Sequence, residues 1–162
     1  MPLTDEQARA QAEAEVRAYC GWHIFPAKTE DLVVDGSHAT VQMLPTLRLT
    51  AVHGVEVDGT AVDLGTVEWS VAGFLRRDAA WTSRLRGVVV SVTHGYDAWP
   101  PDVEAVLTRM AAQAVETSDA SQLLAQVGQV RYAVGPDGLR NVGLMSTADA
   151  WVLDRYRLPP RP

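Results

Sequence analysis

The sequence holds a single cysteine, Cys20, so neither an internal disulfide nor a cysteine-rich zinc site can form. It also holds a single lysine, Lys28; the other thirteen of its 14 basic residues are arginine. Those 14 stand against 20 Asp and Glu, a formal net charge of −6, which disfavours a protein that grips nucleic acid by neutralising phosphates. Apolar runs such as Gly87-Val88-Val89-Val90 fall far below the roughly 20 residues that span a bilayer. The opening Met1-Pro2-Leu3-Thr4-Asp5-Glu6 is polar and acidic and does not read as a signal or transit peptide, so the expected location is the compartment of synthesis. Nucleophile elbows, Gly-rich phosphate loops, repeats and low-complexity tracts are missing as well. Gly135-Pro136-Asp137-Gly138 lacks an N–H at Pro136 and a following Lys or Ser/Thr, so it reads as a turn.

What is present is an ordinary globular composition. A chain of 162 residues, 47% hydrophobic and 21% charged, is long enough for one domain with a real core and room for an inserted subdomain. Its pattern predicts an α+β fold in three parts.

The first part is helical and ends near Cys20. Thr4 and Gln7 have the spacing of a capping box, Asp5 and Glu6 suit the helix N-terminus, and Gly21 offers a stop. Its apolar face, Ala8, Ala12, Val16 and Tyr19, is mostly small and suits close packing against a partner helix.

The second part, residues 24–97, changes to a period of two and predicts an antiparallel β subdomain. Val55 to Leu64 reads as a hairpin turning at Asp58-Gly59; Thr66–Phe74 and Gly87–Thr93 read as further strands. Glu30, Asp31 and Asp35 are placed in a loop, and Pro45 argues for an edge or bulge.

The third part returns to helix. Pro100-Pro101-Asp102 is a start signal, and Val103, Val106, Leu107, Met110, Ala111 and Ala114 form the cleanest helical stripe in the chain, with the polar Thr117–Gln122 expected to end it. Val130–Val134 reads as a short strand. Ser146 and Asp149 form a second capping box, and Leu158-Pro159-Pro160-Arg161-Pro162 is expected to be extended.

Candidate chemistry is sparse. His23, His38, His53 and His94 lack the i, i+4 spacing of a zinc protease; a sheet could bring His53 and His94 together, but four separately satisfied imidazoles is the expectation. Cys20 near His23 is a minimal thiol–imidazole pair without an orienting third group, so a small buried thiol at a helix end is the plainer reading. The five tryptophans, Trp22, Trp69, Trp81, Trp99 and Trp151, are scattered as core and interface anchors. No catalytic residue, metal ligand or cofactor is therefore assigned, and a non-enzymatic interaction protein is expected. The alternative is a small β-rich enzyme or ligand-binding domain using Cys20 and the histidines.

Three passages together carry a resemblance: Val90-Ser91-Val92-Thr93-His94-Gly95-Tyr96-Asp97-Ala98-Trp99-Pro100-Pro101-Asp102-Val103, then Gly128-Gln129-Val130-Arg131-Tyr132-Ala133-Val134, then Leu153-Asp154-Arg155-Tyr156-Arg157. Their order resembles the head-to-tail adaptor (connector) proteins of tailed bacteriophages, the actinobacteriophage type above all. Gln129 and Arg131 depart from that pattern, where smaller or uncharged residues are expected.

The resemblance implies a helical bundle, residues 1–23 and 98–162, with the β subdomain 24–97 inserted. It implies a dodecameric ring of identical subunits in the virion, assembled in the host cytoplasm. That ring docks on the portal protein, meets the stopper on its far face, and lines a channel through which DNA passes without sequence-specific binding; no membrane is involved. The portal-binding segment carries over to Trp151–Pro162, with Trp151, Leu153, Arg155, Tyr156, Arg157, Leu158 and Pro159 as its contacts. That segment holds three Arg and one Asp, so it is locally basic. Arg76, Arg77, Arg84 and Arg86 are candidate contacts to a neighbouring subunit or the stopper, against the plainer reading of a solvated loop.

Overall fold

The computed structural model describes residues 3–127 and 145–160, with side chains through residue 118 and again from 145. Its described residues form an α+β fold of three α-helices and two antiparallel sheets. The chain divides into two compact units. The first takes the described residues through Cys20 and those between Pro100 and Arg157; the second takes Gly21–Trp99 together with the described residues from Leu158.

In the first unit, α1 (Asp5–Cys20) opens with the expected capping box: Gln7 N–H donates to Thr4 Oγ1 at 3.2 Å and Thr4 N–H donates to Gln7 Oε1 at 3.1 Å. Ala8, Ala12, Val16 and Cys20, spaced by four, form its buried stripe. Helix α2 (Pro101–Val127) packs against it, burying Val103, Val106, Leu107, Met110 and Ala114. Arg9 on α1 grips both carboxylate oxygens of Glu104 on α2, at 2.8 and 2.6 Å. The expected end of α2 at Thr117–Gln122 is wrong. That stretch contains neither Gly nor Pro, and the Ala, Gln and Leu residues after it sustain the helix to Val127. Helix α3 (Thr147–Leu153) opens with the Ser146/Asp149 capping box and continues into a 3₁₀ turn at Asp154–Tyr156. The strand read at Val130–Val134 and the turn at Gly135–Gly138 lie outside the described residues.

In the second unit one sheet runs in the order β1-β7-β3-β4. Its centre is β7 (Val88–His94), whose Val88, Val90, Val92 and His94 point inward. On one side lies β1 (Lys28–Val34), on the other β3 (Leu49–Val57), with bulges at Thr50 and His53. Strand β4 (Thr60–Ala61) returns from β3 through Asp58 and Gly59, both at positive φ (53° and 79°), the conformation the Asp-Gly turn requires. The second sheet is β2 (Val41–Met43), β6 (Phe74–Arg76) and β5 (Glu68–Trp69). Thr66–Phe74 is therefore not one strand. It is β5, a turn closed by Gly73 N–H to the Ser70 carbonyl, and the start of β6. The core of this unit gathers Val34, Leu44, Leu49, Val55, Leu75, Trp81, Val88, Val90 and Val92.

Candidate functional site

The C-terminal segment is held locally at several points. Leu153 is fully buried, and its carbonyl lies 3.8 Å from Cys20 Sγ. Asp102, in the first turn of α2, accepts the Tyr156 hydroxyl at 2.8 Å and pairs with Arg155 at 2.9 Å. Tyr19 donates its hydroxyl to Asp154 at 2.6 Å, and the Arg157 guanidinium lies over the Tyr19 ring, 5.0 Å from its centre. The Tyr19 phenol is pushed above its ordinary pKa by that bond to Asp154. In the second unit, Leu158 covers Gly21 closely enough that a Cβ built there would lie 3.7 Å from it. Of the seven residues read as portal contacts, Leu153 is thus a core residue. Tyr156 and Leu158 are half-buried, Arg155 and Arg157 are exposed but engaged locally, and Trp151 and Pro159 are exposed. Trp151 stands out at 75% exposure.

The backbone of the Arg76–Arg86 stretch is anchored. Trp81 is 1% exposed, its backbone N–H donates to the Ala39 carbonyl and its indole N–H donates to the Thr40 carbonyl. Arg77 stacks over Trp81 and donates to the Ala80 carbonyl. Arg76 lies 3.7 Å from Glu68, and Arg84 lies 3.8 Å from Asp58. The Arg86 backbone N–H donates to Asp35. These anchors fix the backbone while Arg76, Arg84 and Arg86 present their side chains to solvent.

The histidines are not arranged as the sequence suggested. His53 sits at a bulge on the face opposite His94 and meets Thr93 Oγ1 at 2.7 Å, so the His53–His94 approach that a sheet could have allowed does not occur, and His53 is satisfied separately, as expected. His23 takes that place, its ring 4.4 Å from the His94 ring centre and nearly perpendicular to it. His94 Nε2 meets Glu30 Oε1 at 2.9 Å, and Lys28 Nζ reaches the same oxygen at 2.9 Å. Glu30 was read as a loop acid. It belongs to β1, pairs with Val92, and so lies diagonally from His94. The strand was hidden because Lys-Thr-Glu-Asp puts polar residues on both faces of an edge strand. Burial pushes the His23 pKa down, helped by His94 and Lys28. Burial alone would raise the Glu30 carboxyl, but its bonds to Lys28 and His94 outweigh that and hold it below its ordinary value. Cys20 is buried, and burial raises its thiol to about 11, which leaves it a poor nucleophile at neutral pH.

No family model matches the sequence, and no curated protein matches it. Solved structures do match the fold. A chain from the neck of an empty gene transfer agent (GTA) particle, computed with C6 symmetry, aligns at TM-score 0.59 and 15% identity, covering 96% of this chain and 78% of that one. A chain from the neck of the native GTA particle, computed with C12 symmetry, aligns at TM-score 0.59 and 15% identity over 96% of this chain and 82% of that one. A chain from the virion of the native GTA particle aligns at TM-score 0.58 and 15% identity over 96% and 77%.

Proposed function

We propose that the protein is a structural component of the neck of a tailed-phage-like particle, a head-to-tail adaptor. The observation that carries this reading is the fold match across 96% of the chain to chains from GTA necks and virions. The sequence resemblance to phage connectors, made on different grounds, points the same way; the actinobacteriophage subtype rests on those sequence passages alone.

On this reading the subunits join side to side into a ring, twelve-fold as in the neck computed with C12 symmetry, with heterologous contacts that close. The helical unit is the adaptor core, a bundle into which the β unit is inserted. The ring sits between portal and stopper and surrounds the DNA channel, and the acidic balance of −6 suits a wall that passes DNA without gripping it. Trp151 leads the portal contact, because a large exposed aromatic next to cationic side chains is the composition of an interface anchor. Arg155 flanks it with 65% of its side chain exposed, and Pro159 and Pro160 extend the chain beyond. Arg76, Arg84 and Arg86 face a neighbouring subunit or the stopper from a backbone already fixed by Trp81 and Asp35.

Mixing the purified protein with the portal of its own particle and measuring mass by light scattering tests the proposal. A complex of portal plus a full ring of adaptors is expected; a protein that ignores the portal at micromolar concentration contradicts it.

A further inference from the structure

The second unit brings two imidazoles and a carboxylate to one end of its main sheet. His94 ends β7 on the inward face at 2% exposure, and Glu30 reaches it from β1. His23 arrives from the segment that follows α1, held there by the Tyr96 N–H on the Ile24 carbonyl. Gly95 makes the approach possible: it lies at φ +107°, and a Cβ on it would fall 2.6 Å from His23 Nε2. One ligand-capable atom from each of His23, Glu30 and His94 lies within 4.8 Å of the other two. Among the described residues it is the only such group found.

We propose that His23, His94 and Glu30 form a three-ligand site for a divalent ion of the zinc type. Two imidazole nitrogens and one carboxylate oxygen are a known zinc donor set, with bonds of about 2.0–2.2 Å and a fourth position left for water. Donors at that radius sit about 3.3 Å apart in a tetrahedron, so the present cluster needs only a small contraction. Two further observations support the site. The His23 ring donates a hydrogen bond to the Pro26 carbonyl, which orients it as outer partners orient metal-binding imidazoles. The His94 Nδ1 is buried with no hydrogen-bond partner among the described residues, while its Nε2 meets Glu30. Lys28 competes for the Glu30 oxygen, but at 43% exposure it can swing into water as the ion enters. A bound ion would fasten the segment at His23 to β1 and β7. The inference does not depend on the neck assignment.

The test is Zn²⁺ titrated calorimetrically into the chelator-treated, tag-free protein, with Co²⁺ absorption as a second readout. One ion per chain and visible bands of tetrahedral Co²⁺ are expected. Glu30→Ala and His23→Asn, each checked for native circular dichroism, should each weaken Zn²⁺ by at least the roughly 10–100-fold that loss of an outer partner costs. Lys28→Ala should tighten binding several-fold, and His53→Ala should leave it unchanged. Absence of stoichiometric binding overturns the proposal. So does Zn²⁺ binding of equal strength in Glu30→Ala and His23→Asn, or its loss in His53→Ala.

Discussion

Tyr156 donates its hydroxyl to Asp102 Oδ1 at 2.8 Å, tying the last turn of the helical unit to the first turn of α2. The same carboxylate pairs with Arg155 and accepts the Val103 N–H at 2.9 Å. Tyr156→Phe removes one bond and should cost about 1 kcal/mol. Asp102→Ala removes three interactions, one of them with a helix-terminal N–H, and should cost about 2 kcal/mol in chemical denaturation.

The Arg9–Glu104 pair predicts a specific acid response. Its bonds to Arg9 hold the Glu104 carboxyl below its ordinary value, so Glu104 binds its proton more readily in the unfolded chain than in the folded one. The stabilisation is full above the ordinary carboxyl value near 4.5 and is lost as pH falls through the lower folded value. Both side chains are partly exposed, so the effect is modest, under about 1 kcal/mol. In Glu104→Gln the melting temperature should fall at pH 7 and vary less steeply between pH 5 and 3, roughly the range over which carboxylates titrate.

Two glycines at positive φ should respond differently to alanine. Gly59, at φ +79°, has open space around its missing Cβ, so Gly59→Ala should cost only about 1–2 kcal/mol of backbone strain. At Gly95 the new Cβ would also meet His23 Nε2 at 2.6 Å and the Pro26 carbonyl at 2.9 Å, so Gly95→Ala should cost about 3–4 kcal/mol. Equal thermal shifts for the two variants would show that the His23 approach is looser than described.

Cys20 should be silent toward iodoacetamide at pH 8 in the folded protein and react once denaturant exposes it, because burial raises the thiol to about 11. Rapid native-state alkylation would revive the reading in which Cys20 works as a nucleophile.

The parts of this fold that are local in sequence were legible. The Thr4/Gln7 and Ser146/Asp149 caps, the stripe of α2, the Asp58-Gly59 turn and β7 each depend on residues a few positions apart. What was missed depends on distant partners. Lys28–Val34 is a strand only because β7 pairs with it, and its charged start masks the alternation. Ser70–Gly73 breaks a plausible strand into two because the turn it makes is stabilised by pairing β5 to β6. The approach of His23 to His94 requires the chain to cross from the end of α1 to the end of β7, which no spacing in the sequence encodes. For the C-terminal segment the sequence left open whether Trp151 and Leu153 pack into the subunit's own bundle, because the carboxylates that hold its first half, Asp102 and Asp154, are recognisable as partners only once the helices are placed.

Trp151 separates docking from folding. At 75% exposure, Trp151→Ala should change stability by less than about 0.5 kcal/mol yet abolish portal binding.

The most direct measurement is electron microscopy of the protein assembled on the portal of its own particle, with rotational symmetry determined from end views. The account predicts a closed twelve-fold ring of this chain beneath the portal. Portal particles carrying no such ring, or a protein that stays a single subunit in the presence of portal, would contradict it.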